Sequence, residues 1–195
     1  MGANASTVNS KLYMTQDGGR TWQQQKLVLP AGYSDGKLDV VAPPMFFSPD
    51  SKEGILMTTF VPKSHKAIEC ATIFYITQDG GLTWQSRKPV QAEGIAVDFV
   101  NTNEWWYWRS EPRDTGSTAP VQGKLYHTID GGKTWSEISP DKTLQELLQK
   151  GQNIMDLDFA DNKTGWVLVS SKDTSPNILL KTTDGGNTWT RVYPK

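Results

Sequence analysis

Short apolar runs alternate with polar, glycine-rich turns along most of this chain, the rhythm of β-hairpins. Four such runs, Lys11-Leu12-Tyr13, Ile73-Phe74-Tyr75, Lys124-Leu125-Tyr126 and Ile178-Leu179-Leu180, are each followed by a polar turn and a second strand beginning at a Trp. Leu157-Asp158-Phe159 and Trp166-Val167-Leu168 flank another polar turn, and Val97-Asp98-Phe99 and Trp106-Tyr107-Trp108 repeat that arrangement. A weaker copy runs from Met45-Phe46-Phe47 through Gly54-Ile55-Leu56-Met57. One segment breaks the rhythm. Ser139–Asn153 predicts a helix, with Ser139 as N-cap, Pro140 in the first turn, Leu144, Leu147 and Leu148 on one face, and Gly151 as the stop.

The turns after the first set of strands share one string, Thr-x-Asp-Gly-Gly-x-Thr-Trp. Its fixed positions are Thr15, Asp17, Gly19 and Trp22; Thr77, Asp79, Gly81 and Trp84; Thr128, Asp130, Gly132 and Trp135; and Thr182, Asp184, Gly186 and Trp189. The four aspartates are spaced by 62, 51 and 54 residues, a period that fits one four-stranded propeller blade. The residue types suit a tight hairpin. An Asp carboxylate accepts backbone N–H bonds inside a turn, and a Gly supplies positive φ. The Thr hydroxyls can bond across the turn, and the Trp ring can cover it.

These boxes match the Asp-box, or bacterial-neuraminidase, repeat found in sialidases, some endoglucanases and sortilin-type receptors. A strand ending in Phe, a polar turn, Gly165-Trp166 and then the box most resembles the photosystem II stability and assembly factor family. The resemblance spans roughly residues 11–193. It implies an all-β fold, a β-propeller of four-stranded antiparallel blades.

Strand counting predicts about three and a half blades, near 11–30 (half), 38–90, 94–140 and 153–193. A ring that small is expected to be part of a longer propeller or to be completed by self-association. Topology puts the boxes on the rim shared with the turns between first and second strands. The opposite rim is then the place for a ligand. On or near it lie Trp105, Tyr107, Arg109, Glu111, Arg113 and Asp114, the candidate ligand-binding residues: aromatic rings stack on sugars, and a long polar loop follows them.

Composition narrows the classes. Twenty Lys and Arg against 21 Asp and Glu give a net charge of -1, with no basic run to attract nucleic acid. Cys70 is the single cysteine, so no intrachain disulfide forms. His65 and Cys70 lack an evident third ligand, and no metal or cofactor is expected. There is no transmembrane stretch and no signal peptide; the full-length protein is nonetheless expected to be exported, on the strength of the resemblance.

Asp98 and Asp158 recur at one repeat position. They could serve as an acid–base pair in glycoside hydrolysis, but their recurrence favours a structural role. A sialidase needs a cluster of three arginines, and Arg20, Arg87, Arg109, Arg113 and Arg191 do not form an obvious one. The sequence therefore points to a non-catalytic scaffold binding protein or carbohydrate, with a glycoside hydrolase fragment as the alternative.

Overall fold

A computed structural model describes residues 11–47, 49–50, 52–64, 70–90, 96–110, 122–170 and 176–194. The chain divides into two compact units, Met1–Ala92 and Glu93–Lys195.

The first unit opens with a two-stranded hairpin, β1 (Tyr13–Met14) and β2 (Gln23–Gln24), in which Tyr13 faces Gln24. A sheet follows, built from β3 (Gly36–Val40), β4 (Met45–Phe46), β5 (Gly54–Pro62), β6 (Ala71–Thr77) and β7 (Gln85–Ser86). Its order is β3-β5-β6-β7, and β4 also pairs with β5. The expected first strand, Met45-Phe46-Phe47, is thus only the second half of an interrupted one. Val41 still donates to the Met57 carbonyl at 3.4 Å. Pro43 and Pro44 then have no N–H to give, and the ladder resumes at Met45. Every residue of β6 is buried. Leu38, Leu56, Phe60, Ile73, Tyr75 and Trp84 form the core of this unit.

The second unit holds two meanders: β8 (Ala96–Phe99), β9 (Trp105–Ser110), β10 (Gly123–Thr128) and β11 (Ser136–Ile138), then β12 (Ile154–Phe159), β13 (Gly165–Val169), β14 (Ile178–Thr182) and β15 (Thr190–Tyr193). Each is a four-stranded antiparallel sheet in sequence order, which is the blade of a β-propeller. Among the described residues the fold is therefore all-β and propeller-type, with three complete blades and a half blade.

The two meanders of the second unit pack face to face through one core that includes Trp106, Trp108, Leu125, Leu157, Phe159, Val167, Leu180 and Trp189. Burying a side chain such as Phe159 contributes about 2–3 kcal/mol, so these contacts dominate the unit.

The helix α1 (Lys142–Gln149) joins the two blades. Its N-cap is Asp141, two residues later than the expected Ser139, because the Asp141 carboxylate accepts the Leu144 N–H at 2.9 Å. The other carboxylate oxygen takes the Trp189 N–H at 3.1 Å, so the cap also ties the helix to the last box. Leu144 and Leu148 are buried, and Gly151 stops the helix at φ +74°.

Candidate functional site

The four boxes have one geometry. The first Thr hydroxyl donates to the Asp at 2.7–2.9 Å and accepts the N–H of the second Gly at 2.8–3.0 Å. The other Asp oxygen accepts the second Thr hydroxyl at 2.6–2.7 Å. That Thr also gives its N–H to the carboxylate, at 2.8–2.9 Å. Both glycines of every box have positive φ.

These bonds favour the ionised carboxylate. The Thr21 hydroxyl and N–H bring Asp17 down to about 2, and Thr83 does the same for Asp79. Asp130 and Asp184 are also lowered, chiefly by Thr134 and Thr188. A carboxylate so saturated by its own turn is a poor general acid or nucleophile.

In each complete blade the first Gly of the box donates its N–H to the turn between first and second strands. The bonds are Gly80 to Lys52, Gly131 to Asn103 and Gly185 to Lys163, all at 2.9 Å. The boxes and those turns therefore share a rim, as the topology predicts.

The candidate ligand residues divide three ways. Trp105 is 0% exposed and Tyr107 4%. The Trp105 ring lies edge-on to Phe99 and Trp135, and its N–H reaches the Thr102 carbonyl at 3.0 Å. Tyr107 stacks on Tyr126 at 4.7 Å, and burial pushes its hydroxyl up beyond the usual phenol range. Neither ring offers a face to solvent. Arg109 is half-buried near the end of β9, opposite Lys124. Glu111, Arg113 and Asp114 lie outside the described residues, as does His65. Cys70 is half-buried, and no group of three potential metal ligands occurs among the described residues.

Asp98 has a definite task. Its carboxylate accepts the Phe159 N–H at 2.7 Å, joining the two blades. Burial raises its pKa; the Phe159 and Phe99 N–H groups oppose that, while Asp158 and Asp156 add repulsion. Beside it, Trp106 is stacked between His127, at 3.9 Å, and Phe159, at 4.1 Å. His127 contacts Glu104 at 3.2 Å, and burial still lowers its pKa. The recurrence of Asp98 at Asp158 was the signal for this junction. The Glu104–His127 pair left no signal, since Glu104 stands in a turn of variable composition.

Four saturated boxes on blade-forming meanders define an Asp-box repeat protein of the propeller class. Residues 75–86 match the BNR/Asp-box repeat, and residues 110–194 match the family described as photosynthesis system II assembly factor YCF48. The chain resembles that assembly factor. Photosystem II assembly lipoprotein Ycf48 of Synechococcus sp. (strain CC9902) is 29% identical over 92 residues, which is 44% of this chain. That match spans only 25% of the relative's length. An α-L-arabinofuranosidase from Fusarium graminearum aligns over 93% of this chain and 54% of its own, at a TM-score of 0.40 and 14% identity. No helix among the described residues is long and apolar enough to cross a membrane.

Proposed function

We propose that the chain is a non-catalytic scaffold that binds another protein during the assembly of a larger complex outside the cytoplasm. The observation that carries this reading is the commitment of the carboxylates. Each box Asp is held by its own turn, and Asp98 is held by the Phe159 N–H. A glycosidase needs two carboxyls facing a free space; the box carboxylates and Asp98 face their own donors, and Asp158, the other half of the candidate pair, lines a concavity whose walls do not include Asp98. The name of the Synechococcus relative, an assembly lipoprotein, supports both the partner class and the location.

The rim opposite the boxes is the proposed contact surface. Arg109 stands at its edge, and the stretch that follows carries Glu111, Arg113 and Asp114, a mixed-charge composition suited to a polar partner surface.

In-cell cross-linking from a photoreactive residue placed at Arg109 and, separately, at Thr188 tests the reading. A specific protein adduct from Arg109 and none from Thr188 is expected. Release of fluorophore from sialyl, glucosyl or arabinofuranosyl substrates by the purified chain would sink it.

A further inference from the structure

The residue before the first Thr of each box is Met14, Ile76, His127 or Lys181. The residue before the second strand of each complete blade is Glu53, Glu104 or Thr164. Of the three complete blades, only β8–β11 combines a histidine with a carboxylate at these two places, and the register brings them together. Asp98, Trp106, His127 and Ser136 form one row across β8, β9, β10 and β11. Glu104 closes the turn that leads into β9, and its carboxylate lies 3.2 Å from His127 Nε2. The imidazole lies flat on Trp106, at 3.9 Å and 11°, and Trp106 lies flat on Phe159 of β12, at 4.1 Å and 4°. Two blades of one compact unit thus meet through a stack that has a titratable ring at its end.

Trp106 is completely buried, and its indole N–H has no hydrogen-bond partner among the described residues. Ring stacking and packing set its place, so a change in the imidazole reaches Phe159 with no indole hydrogen bond to resist it. Among the described residues, Glu104 is the charged group in contact with His127. Ser136, opposite on β11, is neutral, and Phe159 of β12 is apolar. Asp98 of β8 lies beyond Trp106 and accepts the Phe159 N–H, and the charges of Asp158 and Asp156 act on Asp98. Tyr126 and Lys124 of β10 turn to the other face, toward Tyr107 and Glu137. Burial holds His127 below the ordinary 6.5, although the hydrogen bond and charge of Glu104 oppose it. The folded surroundings therefore favour the neutral ring, and by linkage a proton on that ring weakens its hold on those surroundings.

We propose that Glu104, His127, Trp106 and Phe159 form a proton-operated joint between these two blades, closed while His127 is neutral and loosened when it takes up a proton. The joint is at full strength above 6.5 and weakens as pH falls through the lowered His127 value. Asp98, raised from 3.8, takes up its proton with the opposite effect, so overall stability sums two opposed contributions. The joint is therefore read at its own atoms. It does not depend on what the protein binds.

NMR on the full chain follows the His127 Cε1–H, the Trp106 indole N–H and the Phe159 amide from about pH 8 to about pH 4. The chain has two histidines, so His127→Phe identifies the signal. A His127 inflection below 6.5 is expected, with the Trp106 indole shifting at the same pH. Amide exchange at Phe159, corrected for its intrinsic pH dependence, should rise at least threefold across that inflection. His127→Phe keeps a ring on Trp106 without the proton, and both responses should vanish. Glu104→Gln should move the His127 inflection to lower pH and carry the Trp106 response with it, which a merely structural contact would not do. It also serves where His127→Phe loses stability. A His127 inflection at or above 6.5 overturns the joint, as does a Trp106 indole that stays put while His127 titrates. A Trp106 response that survives in His127→Phe belongs to Asp98 and overturns it equally.

Discussion

The half blade and the complete blades carry the same box in different surroundings, and the contrast separates what the hairpin does from what the fold does. Asp17 in the half blade and Asp79 in a complete one make the same bonds and are lowered alike, to about 2. The carboxylate ladder is thus local chemistry. The tryptophans behave differently: Trp22 is 59% exposed, whereas Trp84 and Trp189 are 7% and 4% exposed. Among the described residues, the bonds that Gly80, Gly131 and Gly185 make to a turn of their own blade have no counterpart at Gly18. The box makes the turn; the neighbouring sheet makes use of its Trp.

Acid is expected to have the broadest effect, because it acts on all four ladders together. Their carboxylates are lowered in the fold from the ordinary value of 3.8, so their stabilisation is complete above that value. It is lost as pH falls from about 4 to about 2. Denaturant midpoints should hold from pH 7 to 5 and collapse toward pH 2. NMR titration should show Asp17 and Asp79 moving together; a normal Asp17 would mean that the ladder needs a complete blade. Asp98, whose pKa is raised, acts in the opposite sense and favours the fold as pH falls.

Truncating a tryptophan comes next. Trp189→Ala should cost ~3–5 kcal/mol, as for other large core deletions, while Trp22→Ala should stay within ~0.5 kcal/mol. Equal losses in chemical denaturation would erase the contrast.

Glycine substitution sharpens it further. Gly18 and Gly132 both have positive φ, but a Cβ on Gly18 meets nothing within 4 Å, and one on Gly132 comes 2.8 Å from the Trp105 ring. Gly18→Ala should cost ~1–2 kcal/mol of backbone strain, and Gly132→Ala a further ~1–3 kcal/mol of overpacking. The smallest effect belongs to the helix: Asp141→Ala should cost ~1 kcal/mol for the cap, with Asp141→Asn recovering most of it.

Much of this was legible before any coordinates, because repetition turns one observation into four. The box spacing pointed to four-stranded sheets, and the alignment of Trp106 with Trp166 marked the face of the second strand on which Trp106 is packed. Other features depend on partners far apart in sequence. That Trp105 is enclosed by Phe99 and Trp135, and Tyr107 by Tyr126 and Trp135, follows from strand register, which a run of aromatics does not reveal. Asp141, which caps the helix through Leu144, also accepts the Trp189 N–H, a partner far along the chain that local sequence does not reveal. Pro43 and Pro44 were visible, but a strand that resumes after a double proline is settled by β5, not by local preference.

The bond from the box glycine to the neighbouring turn has a consequence for variation. It fastens each complete blade at one rim, so the connections at the other rim are free to change length without disturbing register. The chain already does this: twelve residues separate β9 from β10, and eight separate β13 from β14. A designer wishing to graft a new recognition segment can splice it between Ser110 and Gly123, where fastening at the other rim keeps the register of β9 against β10.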